Sequence, residues 1–134
     1  MKTQKIYKAT IGRESWSSLV RSLPFLCLSY EVGKTTIPRV GKILVFDNYK
    51  RLNEFVSFSL TPMDDEIVIF EGNGTEPTPM PWLALNFTDA ERFWAKKDDP
   101  EVSIVPPPKG TISVNTFIPT KEYTIEEFRK EYGL

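Results

Sequence analysis

Histidine is missing from the chain, and cysteine occurs once, at Cys27. Without histidine there is no Ser-His-Asp or Cys-His relay, and the commonest transition-metal ligand is gone. A lone thiol makes no internal disulfide, and one cysteine with carboxylates is a poor zinc set. Cys27 sits between Leu26 and Leu28, which reads as a small buried hydrophobe rather than a reactive thiol. No metal or other cofactor is expected. A surplus of either charge is also absent: 17 basic side chains against 18 acidic ones leave a net charge of −1. Nucleic-acid binding draws on excess positive charge, so nucleic acid is disfavoured as a partner. No apolar run approaches the length of a bilayer span. The opening stretch from Met1 to Lys8 is charged and leads into no apolar segment, unlike a signal peptide. Together these absences point to a cytoplasmic protein without a membrane partner.

What is present is enough apolar material for one core. The 134 residues are 40% hydrophobic and 13% aromatic, which suits a single domain over residues 1–134 and argues against disorder. Lys5 to Ile11 alternates as a strand, with Tyr7, Ala9 and Ile11 on one face and Lys8 and Thr10 on the other. Ser15 to Ser22 has the spacing of a short helix or turn capped by Ser15, and Pro24 to Tyr30 reads as a buried strand. Glu31 to Gly41 is a loop. Lys42 to Phe46 is aliphatic on both faces and reads as a central strand. Asp47 and Asn48 offer a cap to a helix carrying Tyr49, Leu52, Phe55 and Val56.

Glu66 to Phe70 is the next strand, and Gly72-Asn73-Gly74 after it has turn chemistry. Pro77, Pro79 and Pro81 stiffen a loop, Trp82 to Leu85 is a brief strand, and Thr88 with Glu91 forms a capping box. A second loop, from Asp98 to Gly110, includes Pro106-Pro107-Pro108, read as a rigid connection. Thr111 to Ile118 alternates as one strand, and Thr124 with Glu127 caps a terminal helix. The sum is an α+β fold: a mixed or mainly antiparallel sheet with about three short helices packed on it.

Few residues stand out for chemistry. Gly33-Lys34-Thr35-Thr36 copies the end of a phosphate-binding loop, but Leu28 occupies the position of the leading glycine and Pro38 follows where a helix must start. Nucleoside triphosphate hydrolysis is excluded on that ground. Lys34 and Arg39 on this glycine-bearing loop remain candidate contacts for an anion. Asp64-Asp65-Glu66 splays its carboxylates and reads as a solvated turn. Glu31, Glu71, Glu91 and Glu122 are the carboxylates available for a fold to bring together for acid–base work. Trp82, among prolines, is the aromatic best placed to be an exposed contact.

The run from Tyr30 to Phe46, with Tyr-x-x-Gly, Pro38 and Gly41-Lys42-x-x-Val45-Phe46, resembles a signature of small uncharacterised phage and bacterial proteins. Phe55, Gly110-Thr111 and Lys121-Glu122 extend the likeness over most of the chain. That resemblance implies a small accessory protein and carries no activity. The order of elements is also similar to a reduced ADP-ribosyltransferase-type domain, and that resemblance implies an Arg or His on an early strand, a Tyr or Ser on a middle one and a late Glu; Arg13, Tyr30 and Glu122 fall in that order. The expectation is therefore a binding protein acting on a host protein or a small anionic, nucleotide-like ligand through Lys34, Arg39 and Trp82. The alternative is a nucleotide-processing enzyme that uses Arg13, Tyr30 and Glu122.

Overall fold

A computed structural model describes residues 2–23, 26–58, 66–85, 89–95 and 100–134. In chain order these form β1 (Thr3–Ile11), α1 (Ser18–Arg21), β2 (Ile43–Phe46), α2 (Tyr49–Phe58), β3 (Ile67–Thr75), β4 (Thr78–Pro79), β5 (Leu83–Ala84), α3 (Ala90–Ala95), β6 (Ile104–Val105), β7 (Thr111–Val114), β8 (Phe117–Thr124) and α4 (Ile125–Tyr132). Six strands make one sheet in the order β4-β7-β2-β1-β3-β8, and β5 pairs with β6 in a separate ribbon. Every pairing is antiparallel. The fold is α+β, as composition and periodicity indicate.

Apolar residues fill both faces of the sheet. On one, Tyr7, Ala9, Ile11, Phe46, Ile67 and Ile69 pack under α2, through Leu52 and Val56, and under α4, through Ile125 and Phe128. On the other, Ile6, Ile43, Val45, Phe70, Val114 and Phe117 pack with Tyr30. Each fully buried phenylalanine here contributes roughly 2–3 kcal/mol of transfer free energy. The caps follow the sequence where it is explicit. The Asn48 side chain accepts from the amides of Lys50 and Arg51 at 2.7 and 3.4 Å, opening α2. Thr124 and Glu127 exchange both bonds of a capping box, and Gly133 closes α4 at φ 67°.

Several local expectations are corrected. Gly72-Asn73-Gly74 is no turn: β3 runs through it and pairs with β1 from Thr3↔Thr75 to Ile11↔Ile67. The glycines serve close packing, since a Cβ on Gly72 would lie 2.1 Å from the Ile118 carbonyl oxygen and one on Gly74 would lie 2.5 Å from Val114 Cγ1. Thr111 to Ile118 is two strands, with β7 on β2 and β8 on β3. The break at Asn115-Thr116 shifts the alternation, so Val114 and Phe117 both face the same core. The cap of α1 is Ser17, whose Oγ accepts from the Val20 amide at 3.5 Å, while Ser15 is buried and bonded elsewhere. Leu26 to Tyr30 is irregular apart from a bridge between Ser29 and Glu14.

The loop from Asp98 to Gly110 contains β6, which pairs with β5. Cys27 is only partly buried, and its thiol donates to Glu14 Oε2 at 3.3 Å. Burial pushes that thiol up, with the Glu14 contact adding to it. The Thr88 capping hydroxyl, Pro24-Phe25 and Asp64-Asp65 lie outside the described residues.

Candidate binding site

The central feature is a fork in the sheet. β1 is paired with β3 along its whole length, but with β2 only at Tyr7↔Phe46 among the described residues. Continuing that register would set Ala9 opposite Leu44. Instead the Lys8 side chain reaches over, and its Nζ donates to the Leu44 carbonyl oxygen at 2.7 Å. A buried carbonyl that loses its ladder partner needs another donor, and the lysine supplies it.

A cavity of about 450 Å³ occupies this fork. Its walls come from both cores: Ala9, Phe46 and Phe55 from the helical side, Tyr30, Ile43, Val45 and Leu28 from the other. Trp16 packs on Phe55 with ring centroids 5.2 Å apart, and Phe55 packs on Phe46 at 5.2 Å. Leu83 of β5 and Trp94 of α3 complete the wall. Trp94 can approach because residue 41 is glycine: φ is +64°, and a Cβ there would sit 2.2 Å from the indole.

The segment that carries Trp16 and Val20 into the wall is fixed by a reverse turn. Gly12 and Arg13 have φ of 56° and 67°, the paired positive values of a tight hairpin turn. Ile11 and Glu14 exchange backbone bonds of 3.1 and 3.0 Å across it. Further on, the Ser15 amide donates to the Leu28 carbonyl at 3.1 Å, and the Leu28 amide donates to Ser15 Oγ at 3.0 Å. Arg21 Nη1 then donates to the carbonyls of Ser15 and Trp16 at 3.0 and 2.8 Å, tying α1 back to the turn.

The electrostatics of the cavity are one-sided. Lys8, Arg39 and Lys42 line it, and no aspartate or glutamate does among the described residues. Burial lowers the Lys8 ammonium from 10.5 to about 8. Ser15, Ser17, Tyr30 and Thr111 are the hydroxyl-bearing residues of the lining. Burial raises the Tyr30 phenol well above its usual value, which keeps it protonated. An apolar chamber with a few convergent polar groups is the usual form of a small-molecule site, and roughly 300–1,000 Å³ is the usual size.

The residues singled out in the sequence divide. Arg39 is exposed and lines the cavity. Lys34 is exposed, lies outside the lining and pairs with Glu31 at 3.0 Å. Its loop covers the edge of β8 instead: Thr36 and Phe117 exchange backbone bonds of 2.8 and 3.1 Å, and the Gly33 amide donates to the Pro119 carbonyl at 2.9 Å. Trp82 is 49% exposed, and its neighbour Leu83 reaches the cavity.

Arg13 and Glu122 meet in a two-bond ion pair at 2.5 and 3.0 Å. Hydrogen bonding from Arg13 holds the Glu122 carboxyl below its ordinary value. The Tyr30 amide donates to the Arg13 carbonyl at 2.9 Å, but its ring turns inward onto Phe70 and Phe117. Of these three, only Tyr30 lines the cavity.

Lys8 lines the cavity, yet the sequence only set it on the face of β1 opposite Tyr7, Ala9 and Ile11 and did not single it out. The signal was Ile6, which shares that face and is fully buried. Glu71 is a second surprise. Its side chain is 4% exposed, with Oε2 3.6 Å from Lys5 Nζ and 3.9 Å from Lys121 Nζ. Its Oε1 is buried without a hydrogen-bond partner among the described residues. No group of three or more His, Cys, Asp or Glu suited to a metal ion occurs among the described residues.

No protein-family model, curated protein or solved structure matches this chain. No described helix is long and apolar enough to cross a membrane.

Proposed function

We propose that this protein binds a small molecule with an apolar body and a single acidic group. The observation that carries the reading is Lys8, a cation in an apolar cavity that no described lining carboxylate neutralises. Lys8 is half-buried and bonded to the Leu44 carbonyl but has no described counter-ion in the lining, and a ligand of opposite charge would offset the cost of its desolvation. Arg39 and Lys42 add positive potential along the lining and favour the same sign of ligand. This narrows the small anionic ligand expected from the sequence to an amphipathic one, and makes the cytoplasmic accessory protein a carrier or sensor of it.

The test is calorimetry with decanoate and with decanol, following Trp16 and Trp94 fluorescence. Decanoate is expected to bind tightly and decanol weakly. Equal affinity for both would remove Lys8 from the reading, and no affinity for either would remove the reading.

A protein partner has one supporting observation of its own. Trp82, Leu85 and Ile104 are each exposed on or beside the β5–β6 ribbon, where the Leu85 amide donates to the Ser103 carbonyl at 2.8 Å. The enzyme reading built on Glu122 has less support, because that carboxylate is engaged by Arg13 and lies outside the cavity lining.

A further inference from the structure

The same chamber holds the ingredients of a covalent trap, and this inference rests on the cavity described above. We infer that the Lys8 amine captures apolar aldehydes as an imine. Lysines become nucleophiles where an apolar pocket disfavours the ammonium. Lys8 meets that condition by place: it stands in the fork between β1 and β2, no described lining carboxylate holds it protonated, and its hydrogen bond goes to the Leu44 backbone carbonyl. A neutral amine retains an N–H for that carbonyl and keeps its lone pair for an electrophile. The depressed ammonium, at about 8, makes the neutral form accessible near neutral pH.

The step balances without a redox partner. The nitrogen lone pair attacks the aldehyde carbon, a C–N bond forms, and the C=O π pair moves to oxygen, which takes up a proton. The carbinolamine then loses its oxygen as water, the nitrogen gives up its remaining protons, and the C=N bond is left. The two protons that leave the nitrogen match the two that the oxygen takes up on leaving as water. The wall admits an apolar chain, while Arg39 and Lys42 disfavour cationic substrates.

The experiment incubates the intact protein with decanal and cyanoborohydride, then maps the reduced adduct by peptide mass spectrometry. Lys8 is expected to be modified about tenfold faster than exposed lysines such as Lys50 and Lys130, and excess decanol is expected to protect it. Adducts spread over the surface lysines, with Lys8 no faster, overturn the inference. If decanoate binds and Lys8 is not trapped, the imine is lost and the binding reading stands. If Lys8 is trapped and decanoate does not bind, the imine stands and the acid-binding reading falls. Lys8→Arg, which keeps a cation and removes the nucleophile, should lose the adduct while exposed lysines such as Lys50 go on reacting. Glyoxylate, a polar aldehyde, should label Lys8 no faster than Lys50; preferential labelling by it would overturn the apolar specificity.

Discussion

The Lys8 ammonium donates to the Leu44 carbonyl at 2.7 Å, across the point where β1 and β2 part. This one contact closes the sheet where its ladder is interrupted, and it leaves a cation facing apolar walls. Replacing Lys8 should therefore separate stability from binding. Lys8→Met removes the desolvated charge and keeps the length of the stem, at the loss of one hydrogen bond to Leu44. Net stabilisation of about 1–3 kcal/mol at pH 7 is expected, together with loss of decanoate affinity. Urea melts and calorimetry on the same samples check both halves, and a destabilised variant would mean the contact to Leu44 outweighs the burial cost.

The pH dependence has a definite sign. Lys8 titrates near 8 in the folded chain against 10.5 for the free side chain. Between those values the unfolded chain binds more protons, so stability should rise with pH through this window, by on the order of 3 kcal/mol at full effect. The tyrosines act in the opposite sense. Tyr7 is pushed up to about 12, chiefly by burial, and Tyr30 and Tyr123 are raised in the same direction. Above pH 10 the folded chain holds the extra protons, so stability should fall. Denaturation midpoints between pH 7 and 11 should peak near 10, and the rising limb should vanish in Lys8→Met.

Gly41→Ala should damage the cavity wall directly. The backbone there is left-handed, and the new methyl would overlap the Trp94 indole. A loss of about 1–3 kcal/mol is expected. Trp94 emission should shift to the red as the ring is displaced, and an unchanged spectrum would contradict the packing described.

Glu71→Gln should lower the Tyr7 phenol. The Glu71 charge is the second cause of that rise after burial. The midpoint, followed by the Tyr7 ring resonances, should move down from about 12 and remain above 10, because burial persists. A midpoint that does not move would place the Glu71 charge elsewhere.

Thr124→Ala should cost about 1 kcal/mol, because the hydroxyl accepts from the Glu127 amide at 3.1 Å and opens α4. Thr124→Ser should recover most of it, and thermal melts of the pair are the check.

The sequence by itself determined the elements whose cause is local. Alternation placed Tyr7, Ala9 and Ile11 on one face of β1, and the Thr124–Glu127 and Asn48 caps marked where helices begin, because each depends on residues within a few positions. Tertiary structure decided what depends on distant partners. Gly72 and Gly74 look like a turn until Ile118 and Val114 are packed against them. Arg39 was legible as a cation on a loop, but not as part of a cavity wall. Lys8 alternates like any solvated strand lysine, and only the covering of the second sheet face and the parting of β2 from β1 enclose it. Burial is a property of what packs from elsewhere in the chain, so the residue on which the functional reading rests had no signature of its own.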